Sequence, residues 1–146
     1  MAEKKKVLFF DDEPFISDIL AQSLRLFDWN VTLVTEIDKL FIELNISKFD
    51  VIILDIMAPI PESDSKYFKF TKQEINEMDD GMNTGVVVAK KIWEMPTYKD
   101  TPILFLSAKK DPRPDNPELQ TDKCGYLRKP VLTSTVSEKL NELIKS

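Results

Sequence analysis

The sequence predicts an α/β protein built on a doubly wound, five-stranded parallel sheet with helices on both faces. Two observations carry that expectation. Short apolar runs alternate with stretches whose apolar residues recur at three-and-four spacing, the pattern of strands interleaved with amphipathic helices. One of the runs, VIIL at residues 51–54, is apolar at every position, as a strand must be when helices cover both faces of its sheet. Composition agrees: 146 residues of which 42% are apolar suit one domain with a proper core and leave little room for a second.

The elements are expected in the following order. KVLFF at residues 6–10 is too short for a helix and reads as a buried strand. Pro14 fits a first helical turn, and Ile16, Ile19, Leu20, Leu24 and Phe27 share one helical face. Residues 30–35 alternate as a second strand, and Thr35 can cap a helix whose face carries Ile37, Leu40, Phe41 and Leu44. After the central strand at 51–54, a third helix is expected over 86–93, following Gly85. A fourth strand, ILFL, occupies 103–106 and a short fifth lies at 125–128. Leu132, Val136, Leu140, Leu143 and Ile144 make a final amphipathic helix, with Thr133 or Thr135 as its cap.

Charge and composition exclude several functions. With 25 acidic against 20 basic residues the net charge is −5, and no long basic stripe exists to neutralise a phosphate backbone, which disfavours direct nucleic-acid binding. Lys4, Lys5 and Lys6 read as a solvated tail. A single cysteine, Cys124, rules out an internal disulfide and suits a reducing compartment, so a cytoplasmic location is expected. No stretch has the apolar length of a membrane span and no signal pattern opens the chain, so membrane insertion is not expected. The absence of histidine removes imidazole bases, imidazole metal ligands and phosphohistidine from the chain's own chemistry.

What remains is carboxylate, hydroxyl and amine, and these recur at the ends of the apolar runs: Asp11 and Asp12, then Asp55, then Ser107, then Lys129. In a doubly wound sheet, ligands bind outside the carboxyl ends of the strands, at the topological switch point. Any one of these acids could instead cap a helix or begin a turn. Taken together, adjacent Asp11 and Asp12 beside a third carboxylate repel one another unless a cation sits among them. Carboxylate oxygens with waters suit Mg²⁺, which typically completes its shell with phosphate oxygens.

Four segments resemble the response-regulator receiver domains of two-component signalling: FFDDEP at 9–14, VIILDIMAP at 51–59, ILFLSA at 103–108 and YLRKP at 126–130. The resemblance implies a flavodoxin-like sheet of strand order 2-1-3-4-5 and a single receiver domain over 1–146. It implies Asp55 as the phosphoacceptor, with Asp11, Asp12 and Asp55 binding Mg²⁺ and the Met57 backbone carbonyl as a further ligand. Lys129 would pair with phosphoryl oxygens, aimed by the cis peptide of Pro130, while Ser107 and Tyr126 occupy the switch hydroxyl and switch aromatic positions. The phosphodonor would be a histidine kinase or a histidine phosphotransfer protein, and output would be phosphorylation-dependent binding of a downstream protein target. With the chain ending just after the last helix, a stand-alone receiver is expected, assisting its own phosphorylation and dephosphorylation but not turning over free substrates.

Two alternatives stay open. A degenerate receiver, acting as an interaction module without phosphorylation, would usually lack one of the key residues. A Mg²⁺-dependent phosphohydrolase would carry a second acid two positions after its nucleophile, where this chain has Met57.

Two stretches depart from the family pattern. Between Pro59 and Gly85 the chain runs about twenty residues longer than usual, which marks an insertion at about 60–83. Within it, TKQE at 71–74 has capping-box spacing and predicts a short helix over 72–78, preceded by Tyr67, Phe68 and Phe70 interleaved with lysines. The segment reads either as a lid or docking surface or as a mobile loop without a role. Further on, Pro112, Pro114 and Pro117 oppose a normal helix between the fourth and fifth strands, so that helix should be short or displaced.

Overall fold

Strand β3 (Val51–Leu54) is buried along its whole length and sits third of five in the sheet, where an all-apolar tetrapeptide belongs. The computed structural model describes residues 3–62 and 66–146. Its other strands are β1 (Lys6–Phe10), β2 (Asn30–Val34), β4 (Ile103–Ser107) and β5 (Cys124–Arg128), in the order β2-β1-β3-β4-β5 with every neighbouring pair parallel. This is the expected strand order. It brings the ends of β1 and β3 side by side, with Phe10 in register with Leu54.

Alternation along the strands divides the core between two faces. Leu8, Phe10, Ile52 and Leu54 pack with α2 (Ile37–Ile46) and α4 (Thr84–Glu94), whereas Val7, Phe9, Val51 and Ile53 pack with α1 (Pro14–Leu26) and α5 (Thr133–Lys145). Burying each such side chain is worth about 1.5–3 kcal/mol. Trp29 Nε1 donates to Ser137 Oγ at 2.9 Å and so fixes the α1–β2 turn against α5.

The helices depart from expectation in detail. On α1 the buried residues are Ser17, Ala21 and Leu24, while Ile16 is 63% and Ile19 67% exposed, and Phe27 is also exposed. Small residues let α1 lie close to the sheet, and the Ser17 hydroxyl is satisfied by donating to the Glu13 carbonyl at 2.6 Å. The apolar residues therefore flank the seam, and only Leu24 of the predicted face is fully buried. Ile37, Leu40, Phe41 and Leu44 of α2 are buried as expected, but Glu36, not Thr35, holds the N-cap position, and no side chain caps the helix. Strand β2 correspondingly ends at Val34. On α5, Val136, Leu140 and Leu143 are buried, Leu132 is the exposed N-cap residue, and both candidate cap threonines lie inside the helix or its first turn without capping it.

Segment 60–83, of which 63–65 lie outside the described residues, is packed rather than loose where it is described. Helix α3 (Lys72–Glu77) begins at Thr71 with both capping-box bonds present, Glu74 N to Thr71 Oγ1 at 3.1 Å and Thr71 N to Glu74 Oε1 at 2.8 Å. Phe68 and Phe70 stack on Phe41 of α2, and Met78 is fully buried. Between β4 and β5 the prolines have their expected effect: two 3-10 turns, Arg113–Asp115 and Pro117–Leu119, stand where a helix would otherwise form. Lys90 of α4 holds them by bonding Asn116 and Glu118. Among the described residues no helix is long and apolar enough to cross a membrane.

Candidate functional site

The backbone ladder itself assembles the site. Asp55 N donates to the Phe10 carbonyl at 3.1 Å, which seats Asp55 beside the end of β1, and Lys129 N donates to the Ser107 carbonyl at 2.9 Å, which seats Lys129 beside the end of β4. Asp11 follows β1 directly, and its Oδ1 accepts from Glu13 N at 2.9 Å as the chain turns into α1. Asp11, Asp12, Asp55, Met57 and Lys129 thus line one cavity of about 830 Å³ at the carboxyl edge of the sheet.

Its electrostatics are dominated by crowding. One carboxylate oxygen from each of Asp11, Asp12 and Asp55 lies within 4.8 Å of the others, and Asp11 and Asp55 are buried. Burial, and then the charges of Asp11 and Asp55, push the Asp12 carboxyl above its ordinary value. Lys129 Nζ supplies the opposite charge, 2.5 Å from Asp11 Oδ2 and 3.3 Å from Asp55 Oδ2. Burial disfavours its ammonium, but the bond to Asp11 and the charge of Asp55 outweigh that cost and hold its pKa above the ordinary lysine value. The Lys129–Pro130 peptide is cis. The three convergent carboxylates form an oxygen donor set suited to a hard divalent cation.

Ser107 and Tyr126 do not line this cavity. Ser107 is the buried last residue of β4, and its Oγ accepts from Lys109 N at 3.2 Å. Tyr126 OH donates to the Lys109 carbonyl, and burial pushes its pKa up. Lys109 also donates through Nζ to the Met82 carbonyl at 2.8 Å and to Asn83 Oδ1. The two residues therefore meet at the β4–β5 side of the site, through Lys109.

Three residues to which the sequence assigns no site role also hold the site. Gly85 packs so closely that a Cβ would stand 2.0 Å from the Asp55 carbonyl oxygen. Thr84 Oγ1 donates to the Ala58 carbonyl at 2.6 Å. Lys109 is the third. A glycine in the first turn of an apolar helix was a legible sign of close approach; Thr84 and Lys109 carry no comparable signal.

Comparison with solved structures places this architecture among CheY-like response-regulator receiver domains. The chemotaxis protein CheY4 of Vibrio cholerae is 23% identical with a TM-score of 0.73, over 96% of this chain and 98% of its own. The response regulator TrrA of Thermotoga maritima, solved in complex with Mg²⁺ and BeF, is 24% identical with a TM-score of 0.69, over 95% and 98%. This chain has the receiver fold. A CheY-like receiver domain of Methanospirillum hungatei shares that fold at 16% identity and a TM-score of 0.64, over 97% and 94%. No protein-family model matches the chain, and no curated protein matches it. In the receiver fold, the acidic cluster sits where β1 and β3 end together, at the switch point of the sheet.

Proposed function

We propose that the chain is a phospho-accepting response regulator of a two-component or phosphorelay system, a single receiver domain over 1–146 with an insertion at about 60–83. The observation that carries the reading is the convergence of Asp11, Asp12 and Asp55 with Lys129 in one cavity at the sheet's switch point. The likeness in fold to TrrA, whose structure holds Mg²⁺ and BeF, supports it.

In this reading Asp11, Asp12 and Asp55, with the Met57 carbonyl, hold Mg²⁺, which when bound neutralises charge as anionic groups come together. An Asp55 carboxylate oxygen attacks phosphorus, forming the acyl phosphate as the bond from phosphorus to the donor's imidazole nitrogen breaks. The donor is a histidine kinase or histidine phosphotransfer protein, because the chain has no histidine of its own. Lys129 moves from its carboxylate partners to the phosphoryl oxygens as a compact charge. Ser107 donates to a phosphoryl oxygen, and Tyr126 responds through Lys109, whose backbone N–H bonds Ser107 Oγ and whose carbonyl accepts from Tyr126. The readout is binding of a downstream protein in the cytoplasm, and the chain catalyses only its own phosphorylation and dephosphorylation.

The test is intact-mass spectrometry after incubation with acetyl phosphate and Mg²⁺. One phosphate is expected on the wild type and none on Asp55→Asn. An adduct that survives the substitution, or no adduct at all, overturns the phosphoacceptor assignment.

A further inference from the structure

The chain leaves β3 at Asp55 through three successive peptides, and each is held. The Ile56 carbonyl accepts from Gly85 N at 2.8 Å, Ala58 N donates to the Gly81 carbonyl at 3.0 Å, and the Ala58 carbonyl accepts from Thr84 Oγ1 at 2.6 Å. The middle peptide carries the Met57 carbonyl. In a trans peptide the C=O and N–H point in opposite directions, so the bond from Ala58 N to Gly81 aims the Met57 carbonyl away from Gly81. The bond from Thr84 locks the following peptide, and with it the end of the Met57–Ala58 unit. Thr84 is 0% exposed and Ala58 is buried, so neither oxygen has water as an alternative partner. Apart from Asp55 itself, whose Oδ1 accepts from Met57 N at 3.4 Å, Thr84 is the side chain that restrains these peptides.

We propose that Thr84 is a positioning residue that holds the Met57 carbonyl rigid and thereby sets the site's preference for Mg²⁺ over Ca²⁺. The inference rests on the metal site of the preceding reading, with Met57 contributing its carbonyl. Mg²⁺ demands near-ideal octahedral geometry at about 2.0–2.1 Å, whereas Ca²⁺ accepts irregular shells of about six to eight oxygens at about 2.3–2.6 Å. A fixed carbonyl therefore favours the smaller ion. A loosened one costs Mg²⁺ its geometry, while Ca²⁺ recruits other oxygens. Partners one shell out from a ligand are commonly worth about 10- to 100-fold in metal affinity.

Isothermal titration of the unphosphorylated protein with MgCl₂ and with CaCl₂ tests this. Thr84→Val, which keeps the volume and removes the donor, is expected to bind Mg²⁺ about tenfold more weakly and Ca²⁺ less than about threefold more weakly. Thr84→Ser, which restores the hydroxyl, is expected to match the wild type for both ions. Equal losses for the two ions, or unchanged Mg²⁺ binding in Thr84→Val, overturn the inference while leaving the metal site standing. Wild type that binds neither ion, or binding that survives Asp12→Asn, overturns the metal site and the inference with it. If Thr84→Val does not fold, Thr84→Cys keeps the volume with a weaker donor, and an unchanged Mg²⁺-to-Ca²⁺ affinity ratio in that variant is the overturning result.

Discussion

Lys129 reaches across the carboxyl edge of the sheet to Asp11, its Nζ 2.5 Å from Asp11 Oδ2 although the two residues end strands that are not neighbours. In the absence of a divalent cation this ammonium is the charge that holds the carboxylates together. Lys129→Met is expected to lower metal-free stability by about 1–2 kcal/mol, below the usual value for a buried pair because the lysine side chain is 24% exposed. In the proposed metal site Mg²⁺ would compete with the ammonium for the same oxygens, so the variant should gain more from the ion than the wild type does. Urea unfolding with EDTA and with millimolar Mg²⁺ measures both quantities, and a stability gap that widens in Mg²⁺ contradicts the competition.

Gly85 sets how near α4 can come to the strand that bears Asp55. An alanine Cβ there would lie 2.0 Å from the Asp55 carbonyl oxygen and 2.8 Å from Ile56 Cα, both backbone atoms that no rotamer change can move. Gly85→Ala is therefore expected to cost at least the ~1–3 kcal/mol of ordinary overpacking and to shift α4 off the site. Valine at the adjacent Val86, already in the core, marks the contrast: Val86→Ala removes methyl groups and should cost about 1–3 kcal/mol without disturbing Mg²⁺ binding. Chemical denaturation of the two variants, with and without Mg²⁺, separates the two effects.

The parts legible in the sequence were those where one physical demand dominates. VIIL could only be a strand buried on two faces, and the TKQE box at Thr71 formed both of its bonds. The convergence of Asp11, Asp12, Asp55 and Lys129 was legible because strand ends of a doubly wound sheet meet at one edge. The buried face of α1 was not, because its seam is made by Ser17 and Ala21, which have too little apolar surface to register against Ile16 and Ile19 beside them. Helix caps at Thr35 and at Thr133 or Thr135 failed for a related reason: cap preference is worth about 1 kcal/mol, and strand length and packing override it. Thr84 could not be found at all, since its partner Ala58 is 26 positions away and reached only by the fold.

Phe68 ties segment 60–83 to the body of the protein, with ring centroids 5.0 Å from Phe41 and 5.3 Å from Phe70. Phe68→Ala removes one ring of a three-ring cluster in which Phe41 and Phe70 also touch, edge to face at 6.2 Å. The expected result is local opening: amide exchange in α3 and the flanking described residues 66–78 rises about tenfold or more, equivalent to about 1.4 kcal/mol, while β3 keeps its protection. Exchange that rises equally in β3 would show that the segment is part of one cooperative unit with the sheet.

Glu74 anchors α3 to α4 through charge as well as through its cap. Its carboxylate accepts from Lys91 Nζ at 2.9 Å and from Thr71 N at 2.8 Å. Burial alone would raise its pKa, but the bonds from Lys91 and Thr71 outweigh burial and hold it below the ordinary 4.5. A carboxyl whose folded pKa is depressed adds stability that is fully present above its unfolded value and disappears as pH falls through the folded one. Glu74→Gln retains a capping acceptor but loses the charge, so it should be about 1 kcal/mol less stable than wild type at neutral pH. That difference is expected to shrink as pH falls from about 4.5 through the lowered folded pKa, because over that range the wild-type carboxyl takes up its proton and Lys91 comes to face a neutral group in both proteins. Urea unfolding of the pair across this range decides the point: a difference that persists unchanged in acid would mean that the amide disturbs packing and that the Lys91 pair contributes nothing to holding α3 in place.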